Sequence, residues 1–420
     1  MRRIFWIPHL FLVSEVIFLE RTILHCDLNG FYAAVECLFQ PELKNVPMAV
    51  AGNAENRHGI ILAKNELAKK YKIKTAETIW EAKRKCPGLV LVPPRHGEYG
   101  RYSKLVNAIY CEFSDRVEPF GIDESWLDVT GVTHLFGSGP EIADKIRGTI
   151  KERLGLTISV GVSFNKVFAK LGSDYKKPDA TTIISRDNYK SIVWPLPVSD
   201  LLYVGRATND ILFKAGVRTI GDLASANRKF LVSRLGKMGE MIHDYANGMD
   251  ESPVKEANAE REIKSVGNGM TFDHDLVGYE EIKRGVLTLA DEVGSRMRKY
   301  KLKCRVVCVQ IKDPCFKSIS RQKALTTPTS STKELADTAM ELIVACWSEK
   351  APMRTLTISG RNLIPAADAV EQLFLFDDDG KKHRDKQEKL DLVIDSIRGQ
   401  LGHKSIGLGC VLMGDTEDKD

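Results

Sequence analysis

Short apolar runs and longer amphipathic runs alternate along the first half of the chain, and their order predicts a mixed α+β fold. Strand-like runs cover residues 22–28, both sides of a turn at 121–124, and residues 156–162, whereas helical periodicity covers residues 98–114 and 140–154. This β-α-β-β-α-β order is the split βαβ pattern of ferredoxin-like sheets. In such a sheet the first and third strands are antiparallel neighbours, so the end of one lies beside the start of the other.

Three carboxylates are predicted to meet at one edge of this sheet. Asp27 ends the first strand, and Asp123 and Glu124 precede the third. Neighbouring carboxylates repel each other, and a hard divalent cation such as Mg²⁺ removes that penalty. By themselves, Asp123 and Glu124 fit a polar turn equally well. Their convergence with Asp27 favours a two-metal site, in which one metal activates an attacking oxygen and the other stabilises a leaving phosphate.

Two later segments indicate a nucleic-acid partner. Residues 202–208 and 216–223, with a helix between them, are typical of a helix-hairpin-helix, whose glycine exposes backbone N–H groups to a phosphate; a plain helical packing unit is an equal alternative. After a polar stretch at 250–262 that predicts a linker, residues 296–323 contain ten Lys or Arg and a single acid, Asp313. Strand-like alternation within this run predicts an exposed basic sheet face that follows a phosphate backbone.

Composition limits the class of protein and its compartment. The 420 residues are 43% hydrophobic and 28% charged with a net charge of +5, so a basic surface must come from local clustering. Nine scattered cysteines without a CxxC pair indicate reduced thiols in a cytoplasm and disfavour a zinc site. Residues 1–21 contain an interrupted apolar run that is too short to span a bilayer. An extension outside the fold is expected there, with a membrane anchor as the alternative.

The tail begins loosely at residue 361 and contains an apolar pentapeptide followed by three aspartates at 377–379. An apolar peptide beside acids in a flexible segment predicts a docking peptide, with a short strand packed on the body as the alternative. The pentapeptide consists of Gln372, Leu373, Phe374, Leu375 and Phe376. A last helix is predicted over residues 384–401.

Four stretches in a fixed order carry a family resemblance: residues 25–36, 121–129, 159–170 and 177–178. Together they resemble the Y-family translesion DNA polymerases, and within that family the bacterial DNA polymerase IV group, from about residue 22 to residue 360. The resemblance implies template-directed, error-prone DNA synthesis past damaged bases, by nucleotidyl transfer from a dNTP to a primer 3′-OH.

The resemblance also implies a multidomain right-hand polymerase with a ferredoxin-like palm, small fingers, a helical thumb and an α/β little finger that grips DNA. The implied bounds are 22–30 with 96–184 for the palm, 31–95 for the fingers, 185–253 for the thumb, 254–263 for a linker, 264–360 for the little finger and 361–420 for the tail. These bounds place the helix-hairpin-helix in the thumb and the basic run in the little finger.

For the metal site, the resemblance implies that Asp27, Asp123 and Glu124 are catalytic carboxylates that bind two Mg²⁺ ions, with the Leu28 carbonyl as a backbone ligand. The chain departs from the family at Asn29, where the first motif has a second acid. That position does not bind metal in the family, so the chemistry is expected to survive the change.

For the nucleotide, the resemblance implies that Tyr32 is the steric gate that rejects a ribose 2′-OH, with Phe31 lining the same pocket. Lys177 would contact the triphosphate. In the fingers, Glu66 and Lys69 occupy positions where the family commonly has a Tyr and an Arg that hold the triphosphate. Lys69 keeps the positive charge without the bidentate geometry, and Glu66 repels the triphosphate, so an altered nucleotide affinity is expected.

The implied partners are primer-template DNA, dNTPs and a sliding clamp that binds residues 372–376, and the chain is expected to act as a cytoplasmic monomer without a membrane. One alternative is a non-catalytic, clamp-recruited DNA-binding accessory protein of DNA repair, which the intact carboxylates disfavour. Another is a nucleotidyl cyclase with a similar palm, which the basic run and the docking peptide disfavour.

Overall fold

The computed structural model describes residues 20–52, 59–259, 262–369, 378–402, 405–407 and 409, without the side chains of residues 378–383. The chain divides into two compact units, Met1–Ala259 and Glu260–Asp420. The docking peptide predicted at 372–376 and most of the extension predicted at 1–21 lie outside the described residues. None of the described helices is long and apolar enough to cross a membrane.

The described strands are β1 (Ile23–Leu28), β2 (Met48–Ala51), β3 (Ile61–Lys64), β4 (Val90–Val92), β5 (Val117–Pro119), β6 (Glu124–Asp128), β7 (Ile158–Ser163), β8 (Thr181–Ile184), β9 (Ser265–Leu276), β10 (Leu302–Lys312), β11 (Ser318–Thr329) and β12 (Met353–Pro365). The described α-helices are α1 (Phe31–Phe39), α2 (Glu66–Lys70), α3 (Ile79–Lys85), α4 (His96–Cys111), α5 (Thr133–Phe136), α6 (Gly139–Leu154), α7 (Lys166–Tyr175), α8 (Tyr189–Val193), α9 (Arg206–Lys214), α10 (Ile220–Ser225), α11 (Arg228–Leu235), α12 (Lys237–Ala246), α13 (Tyr279–Lys299), α14 (Thr332–Cys346) and α15 (Asp378–Leu401).

A five-stranded sheet in the order β5-β6-β1-β7-β8 lies at the centre of the first unit. β1 pairs antiparallel with β6 on one side and with β7 on the other, which confirms the predicted neighbours. β8 is parallel to β7 and was not predicted, because its four residues directly follow a basic turn and give no clear periodic signal. The sheet therefore has one strand more than the split βαβ pattern requires.

β1 is the central strand of the sheet, and both of its faces are covered. Leu24, Cys26 and Leu28 pack in the core that α4 and α6 complete, whereas Ile23 packs on the opposite face with Ala169 of α7. Alternation along the strand places His25 and Asp27 on that second face as well. Side chains on this second face, from α7 and from the turn that follows it, can therefore approach Asp27.

α7 lies close to the sheet because Gly161 in β7 has no side chain. A Cβ at Gly161 would lie 1.9 Å from the carbonyl oxygen of Ala169, and a Cβ at Gly172 would lie 2.9 Å from the Gly161 Cα. The two glycines face each other where helix and strand cross. Their contact sets the height of α7 above the sheet, and with it the positions of Lys170 and Ser173.

Two smaller regions complete the first unit. The insertion between β1 and α4 contains a three-stranded sheet, β3-β2-β4, whose helices α2 and α3 are capped by the side chains of Asn65 and Thr78. Helices α9–α12 follow β8 and share a core that includes Leu212 and Ile220. Gly216, with φ +83°, allows the sharp turn after α9.

The segment predicted as a linker at 250–262 contains the boundary between the two units, and its start packs on the first unit. Val254 is buried against Ile23 and Trp126. The Lys255 N–H donates to Oε2 of Glu118 at 3.1 Å. A single apolar residue between charged ones has no periodicity, so the pattern gave no sign of this contact.

The second unit is a four-stranded antiparallel sheet, β11-β10-β12-β9, on which α13 and α14 pack. The predicted basic face is partly correct, because Arg305 and Arg321 are exposed on β10 and β11. Arg298, however, lies on α13 with a side chain that is 6% exposed, and it pairs with Asp395 of α15 at 2.6 Å. Part of the basic run is therefore exposed on the sheet, and another part anchors the last helix.

Candidate active site

The strand register brings the predicted carboxylates to one edge of the central sheet. Asp27 in β1 stands directly opposite Glu124 in β6, and the Leu28 N–H donates to the Asp123 carbonyl at 2.9 Å. One possible ligand atom from each of His25, Asp27 and Glu124 lies within 4.8 Å of the others. Backbone pairing alone thus positions acids that are far apart in the sequence.

Asp123 is the third acid of this group and lies close enough to Asp27 and Glu124 to interact with their charges. Burial, together with the negative charges of Asp27 and Glu124, raises the pKa of Asp123 to about 6. Such a shift shows that the carboxylates are crowded and poorly hydrated. A bound cation relieves this crowding because it favours the ionised form of all three.

Two lysines contact the acids. The Lys177 ammonium lies 2.9 Å from Oδ2 of Asp27 and 2.7 Å from Oδ1 of Asp174. Lys170 pairs with Oε2 of Glu124. Burial raises the pKa of Glu124, but the contacts with His25 and Lys170 outweigh it and bring the pKa to about 2. Glu124 is therefore ionised over the whole physiological range.

His25 is a site residue that the sequence reasoning missed. Its ring is fully buried, Nε2 lies 3.2 Å from Oε2 of Glu124, and Nδ1 lies 2.8 Å from Oγ of Ser173. Among the described residues Nε2 has no hydrogen-bond partner, so its approach to Glu124 is a close contact only. The sequence contained one signal, because residues two apart in a strand share a face and His25 precedes Asp27 by two.

The donor set fits a hard divalent cation. Carboxylate and carbonyl oxygens at the β1–β6 edge are the ligands that Mg²⁺ prefers, and the crowded charge of Asp27, Asp123 and Glu124 needs compensation. A single imidazole without thiolates does not suit a zinc site.

The predicted sugar gate is held by a second aromatic ring. Tyr32 on α1 stacks on Tyr99 of α4 with 4.0 Å between ring centroids and 12° between planes, and Phe31 packs on Tyr32 at 5.6 Å. The Tyr99 hydroxyl donates to Oε1 of Glu36 at 2.6 Å. Glu36 is fully buried and also accepts hydrogen bonds from Arg95. The orientation of Tyr32 therefore depends on a buried carboxylate that Tyr99 and Arg95 share.

The chain matches one family at both ends of this architecture. Residues 26–174 match the impB/mucB/samB family, and residues 263–375 match the C-terminal domain of that family. DNA polymerase IV of Acetivibrio thermocellus is 49% identical over 394 residues, which are 94% of this chain and 98% of that protein. DNA polymerase IV 1 of Bacillus subtilis is 34% identical over 397 residues, 94% of each chain.

The chain belongs to the Y family of DNA polymerases, in the DNA polymerase IV group. A solved Y-family DNA polymerase chimera has the same fold, with a TM-score of 0.73 and 23% identity over 82% of this chain and 99% of the chimera. The protein is thus a metal-dependent, DNA-directed DNA polymerase of the translesion type, acting on DNA and dNTPs. The accessory-protein alternative finds no support among these relatives.

Glu66 and Lys69, which were expected to face the triphosphate, pair with each other on α2. Lys69 Nζ lies 2.6 Å from Oε1 of Glu66, one helical turn away on α2. The two residues neutralise each other on a largely exposed helix. The Lys69 ammonium pairs with Glu66 in the structure. Its contact with a triphosphate stays a prediction.

Lys170, Tyr99 and Glu36 are further site residues that the sequence did not reveal. Each reaches the site from a helix far from its partner in the sequence. The sequence gave one signal for Glu36, which is a carboxylate in the apolar run of α1. A carboxylate with no exposed surface needs a partner for its charge. The predicted clamp peptide at 372–376 lies outside the described residues.

Proposed function

We propose that this polymerase joins dNTPs to a primer at the β1–β6 edge, with Asp27, Asp123 and Glu124 binding two Mg²⁺ ions and the Leu28 carbonyl acting as a further ligand. The observation that carries the proposal is the register in which Asp27 faces Glu124, beside the hydrogen bond from Leu28 to Asp123. When bound, the ions would lower the pKa of the primer 3′-OH and stabilise the negative charge on the reacting phosphate.

Lys177 links nucleotide entry to this site. Its ammonium neutralises Asp27 and Asp174. A triphosphate is a stronger partner for an ammonium than a single carboxylate, because it carries more charge and more acceptor oxygens. We infer that Lys177 turns towards the triphosphate when a nucleotide enters, which leaves Asp27 to bind metal. Lys69 would add a second positive charge on the fingers side.

Tyr32 would select the sugar by excluded volume. Its ring stacks on Tyr99, and Phe31 packs beside both rings, so the Tyr32 ring cannot turn away without breaking these contacts. A deoxyribose packs on the ring, whereas a 2′-OH would clash with it. Discrimination of this kind needs a rigid wall rather than a hydrogen bond, which is what the buried Glu36 provides through Tyr99.

We infer three further properties: residues 372–376 bind a sliding clamp, the chain acts as a monomer, and it works in the cytoplasm. The peptide's apolar residues beside acids support the first. Free thiols support the third, because every cysteine in the described residues is unpaired and burial raises the pKa of the Cys26 and Cys304 thiols.

Primer extension with Mg²⁺ tests the metal assignment. Asp123→Ala and Glu124→Ala should each lower kcat by roughly 10²–10³-fold or more, because each removes charge that the reaction needs. DNA binding, measured separately, should remain. Asp144→Ala is the matched control, since this acid lies on the exposed surface of α6. Full activity of both site variants would remove the metal assignment.

A further inference from the structure

Trp80 on α3 is the most exposed aromatic residue among the described residues, at 67% exposure. The Arg84 guanidinium lies over one face of its ring, with 4.8 Å between Cζ and the ring centroid. Since most of the side chain is exposed, the opposite face of the ring is open to solvent. A single exposed aromatic residue is ordinary on a protein surface, so its neighbours decide whether Trp80 has a partner.

The stretch of chain around this ring is basic. Residues 70–85 contain six Lys or Arg and two Glu, and both acids have partners within the stretch. Glu77 pairs with Lys85, and the Glu81 carboxylate accepts from the Thr78 hydroxyl at 3.0 Å. The other five basic side chains are exposed, and none of them pairs with an acid in the described part of the chain: Lys70, Lys72, Lys74, Lys83 and Arg84. This excess of positive charge favours an anionic partner.

A second exposed aromatic residue lies in the same stretch. Tyr71 directly follows α2 and is 47% exposed. The Lys85 ammonium donates to the Lys72 carbonyl at 3.1 Å, which holds the end of α3 beside the turn after α2. The two aromatic and five basic side chains form what we call the basic aromatic surface: Lys70, Tyr71, Lys72, Lys74, Trp80, Lys83 and Arg84.

Unpaired nucleotides match this surface in both charge and shape. Lys and Arg pair with phosphates, and an exposed aromatic face stacks on a base. In a duplex the faces of the bases are covered by their neighbours, so a ring such as Trp80 could stack only by unstacking the helix, which costs free energy. An acidic protein would match the charges but would leave the open face of the ring without a stacking partner.

A DNA-directed polymerase always holds such a strand, because the template ahead of the primer end is unpaired. The surface lies in the insertion between β1 and α4. Within it, β3 packs on the start of α1, since a Cβ at Gly30 would lie 3.2 Å from the Lys64 carbonyl oxygen. We propose that the basic aromatic surface binds the unpaired template strand, with a base stacked on the open face of Trp80 and the basic side chains on phosphates. Binding of this kind needs neither metal ions nor a dNTP, so it is independent of the proposed metal site.

Fluorescence anisotropy of labelled primer-templates measures binding to the full chain, without Mg²⁺ or dNTP. The template carries an overhang of a single nucleotide, of about 10 nucleotides, or of about 10 abasic sugar phosphates, lengths typical of single-strand sites. Trp80→Ala should weaken binding to the long overhang by roughly 5- to 100-fold, the effect of one lost stacking contact. Its dissociation constants for the other two substrates, and its thermal midpoint, should equal those of the wild type. Trp80→Phe keeps a stacking ring and should retain most of the affinity.

Tyr279→Ala is the matched control. Tyr279 is an exposed aromatic residue on α13, and the Lys283 ammonium, four residues along the helix, lies 5.7 Å from its ring centroid. The pair resembles Trp80 and Arg84, but two glutamates directly follow the tyrosine. Removal of this ring should leave binding to all three substrates unchanged.

The salt dependence of binding tests the role of the basic side chains. Lys83→Gln should reduce the slope of log K against log salt by about 0.7 on the long overhang, because one phosphate contact is lost. Trp80→Ala should leave that slope unchanged, since stacking releases no counterion.

Four results would overturn the proposal. Wild-type affinity of Trp80→Ala for the long overhang would show that no base stacks on the ring. Equal losses on the short and long overhangs would assign Trp80 to duplex binding or to folding. Equal losses on the base-bearing and abasic overhangs would show that the surface binds phosphates alone. Wild-type binding that does not depend on the overhang would remove the template strand as the occupant and favour an acidic protein.

Discussion

At the scale of single residues, the proposed nucleotide pocket has a tightly packed aromatic side and an exposed, charged side. Tyr32 rests on Tyr99, whose hydroxyl is tied to a buried carboxylate. Glu66 and Lys69, in contrast, pair on a helix where both side chains are at least one-third exposed, 53% and 37%. A stiff wall favours selection by shape, and an exposed ion pair is easily exchanged for another partner.

Tyr32→Ala should admit ribonucleotides. The discrimination between dNTP and rNTP, measured as the ratio of kcat/KM values, is expected to fall by roughly 10- to 100-fold because a steric contact is lost. Tyr102→Ala is the control, because it removes a partly buried tyrosine one turn beyond Tyr99 on α4, and it should leave the ratio unchanged. Unaltered sugar discrimination in Tyr32→Ala would show that this ring is not the gate.

Glu66→Gln should lower the KM for dNTPs. The change removes a negative charge beside the predicted triphosphate path and frees Lys69 to contact the nucleotide. Because the pair is exposed and screened, the gain should be only about three- to five-fold. Steady-state kinetics at varied dNTP concentration measures it, with Glu42→Gln, another exposed acid of the segment 31–95, as control. A KM that stays constant would place the triphosphate away from Glu66.

The limits of sequence prediction are clear at this scale. Asp27, Asp123 and Glu124 were found because strand periodicity and strand order bring them together. His25 and Tyr99 were not, because their contacts join positions that no local pattern connects: His25 meets Ser173, and Tyr99 meets Glu36. Periodicity shows which face a residue occupies, but not which residue from another element lies opposite.

At the scale of elements, the crossing of α7 and β7 determines the site as much as the acids do. Lys170 and Ser173 reach Glu124 and His25 only because Gly161 lets the helix approach the strand. The hydrophobic pattern predicted the helix and the strand separately. Their close approach depends on the missing side chains of Gly161 and Gly172, which the pattern does not show. For the same reason β8 and the docking of Val254 were missed, since both depend on neighbours distant in the sequence.

Gly161→Ala should destabilise the first unit. An added methyl group would meet the Ala169 carbonyl, a backbone atom that cannot turn aside, so a loss of roughly 3 kcal/mol is expected. Gly148→Ala is the matched control, because a Cβ there meets nothing within 4 Å in the middle of α6. It should stabilise by about 0.5–1 kcal/mol. Thermal unfolding midpoints that move in opposite directions would confirm the pair; equal midpoints would contradict it.

At the scale of the whole molecule, the two units have different chemistry. The first carries the acids and the aromatic gate, and the second carries the exposed arginines of β10 and β11 and an anchored last helix. Ion pairs between Arg298 and Asp395 and between Arg398 and Asp291 hold α15 to its own unit. The part of the chain beyond β12 therefore includes a helix that is held to the second unit.

Deleting residues 372–376 should lower processivity only when a sliding clamp is present. The peptide is predicted to recruit the clamp and has no part in the reaction, so clamp-free synthesis should be unchanged. Product lengths on a long primed template, with and without clamp, measure the effect, and removal of residues 416–420 is the control. Equal losses in both conditions would count against a docking role.

The pairing of Leu28 with Asp123 also has an evolutionary consequence. The chain leaves the central sheet after Leu28 and returns to it with β5 and β6. The hydrogen bond from Leu28 to Asp123 joins the end of β1 to the start of β6, whatever the length of the chain between them. Insertions, deletions and exchanges in the fingers can therefore accumulate without displacing the acids. The surface of this part of the chain can therefore change while the acids keep their places, and Glu66 and Lys69 lie on it.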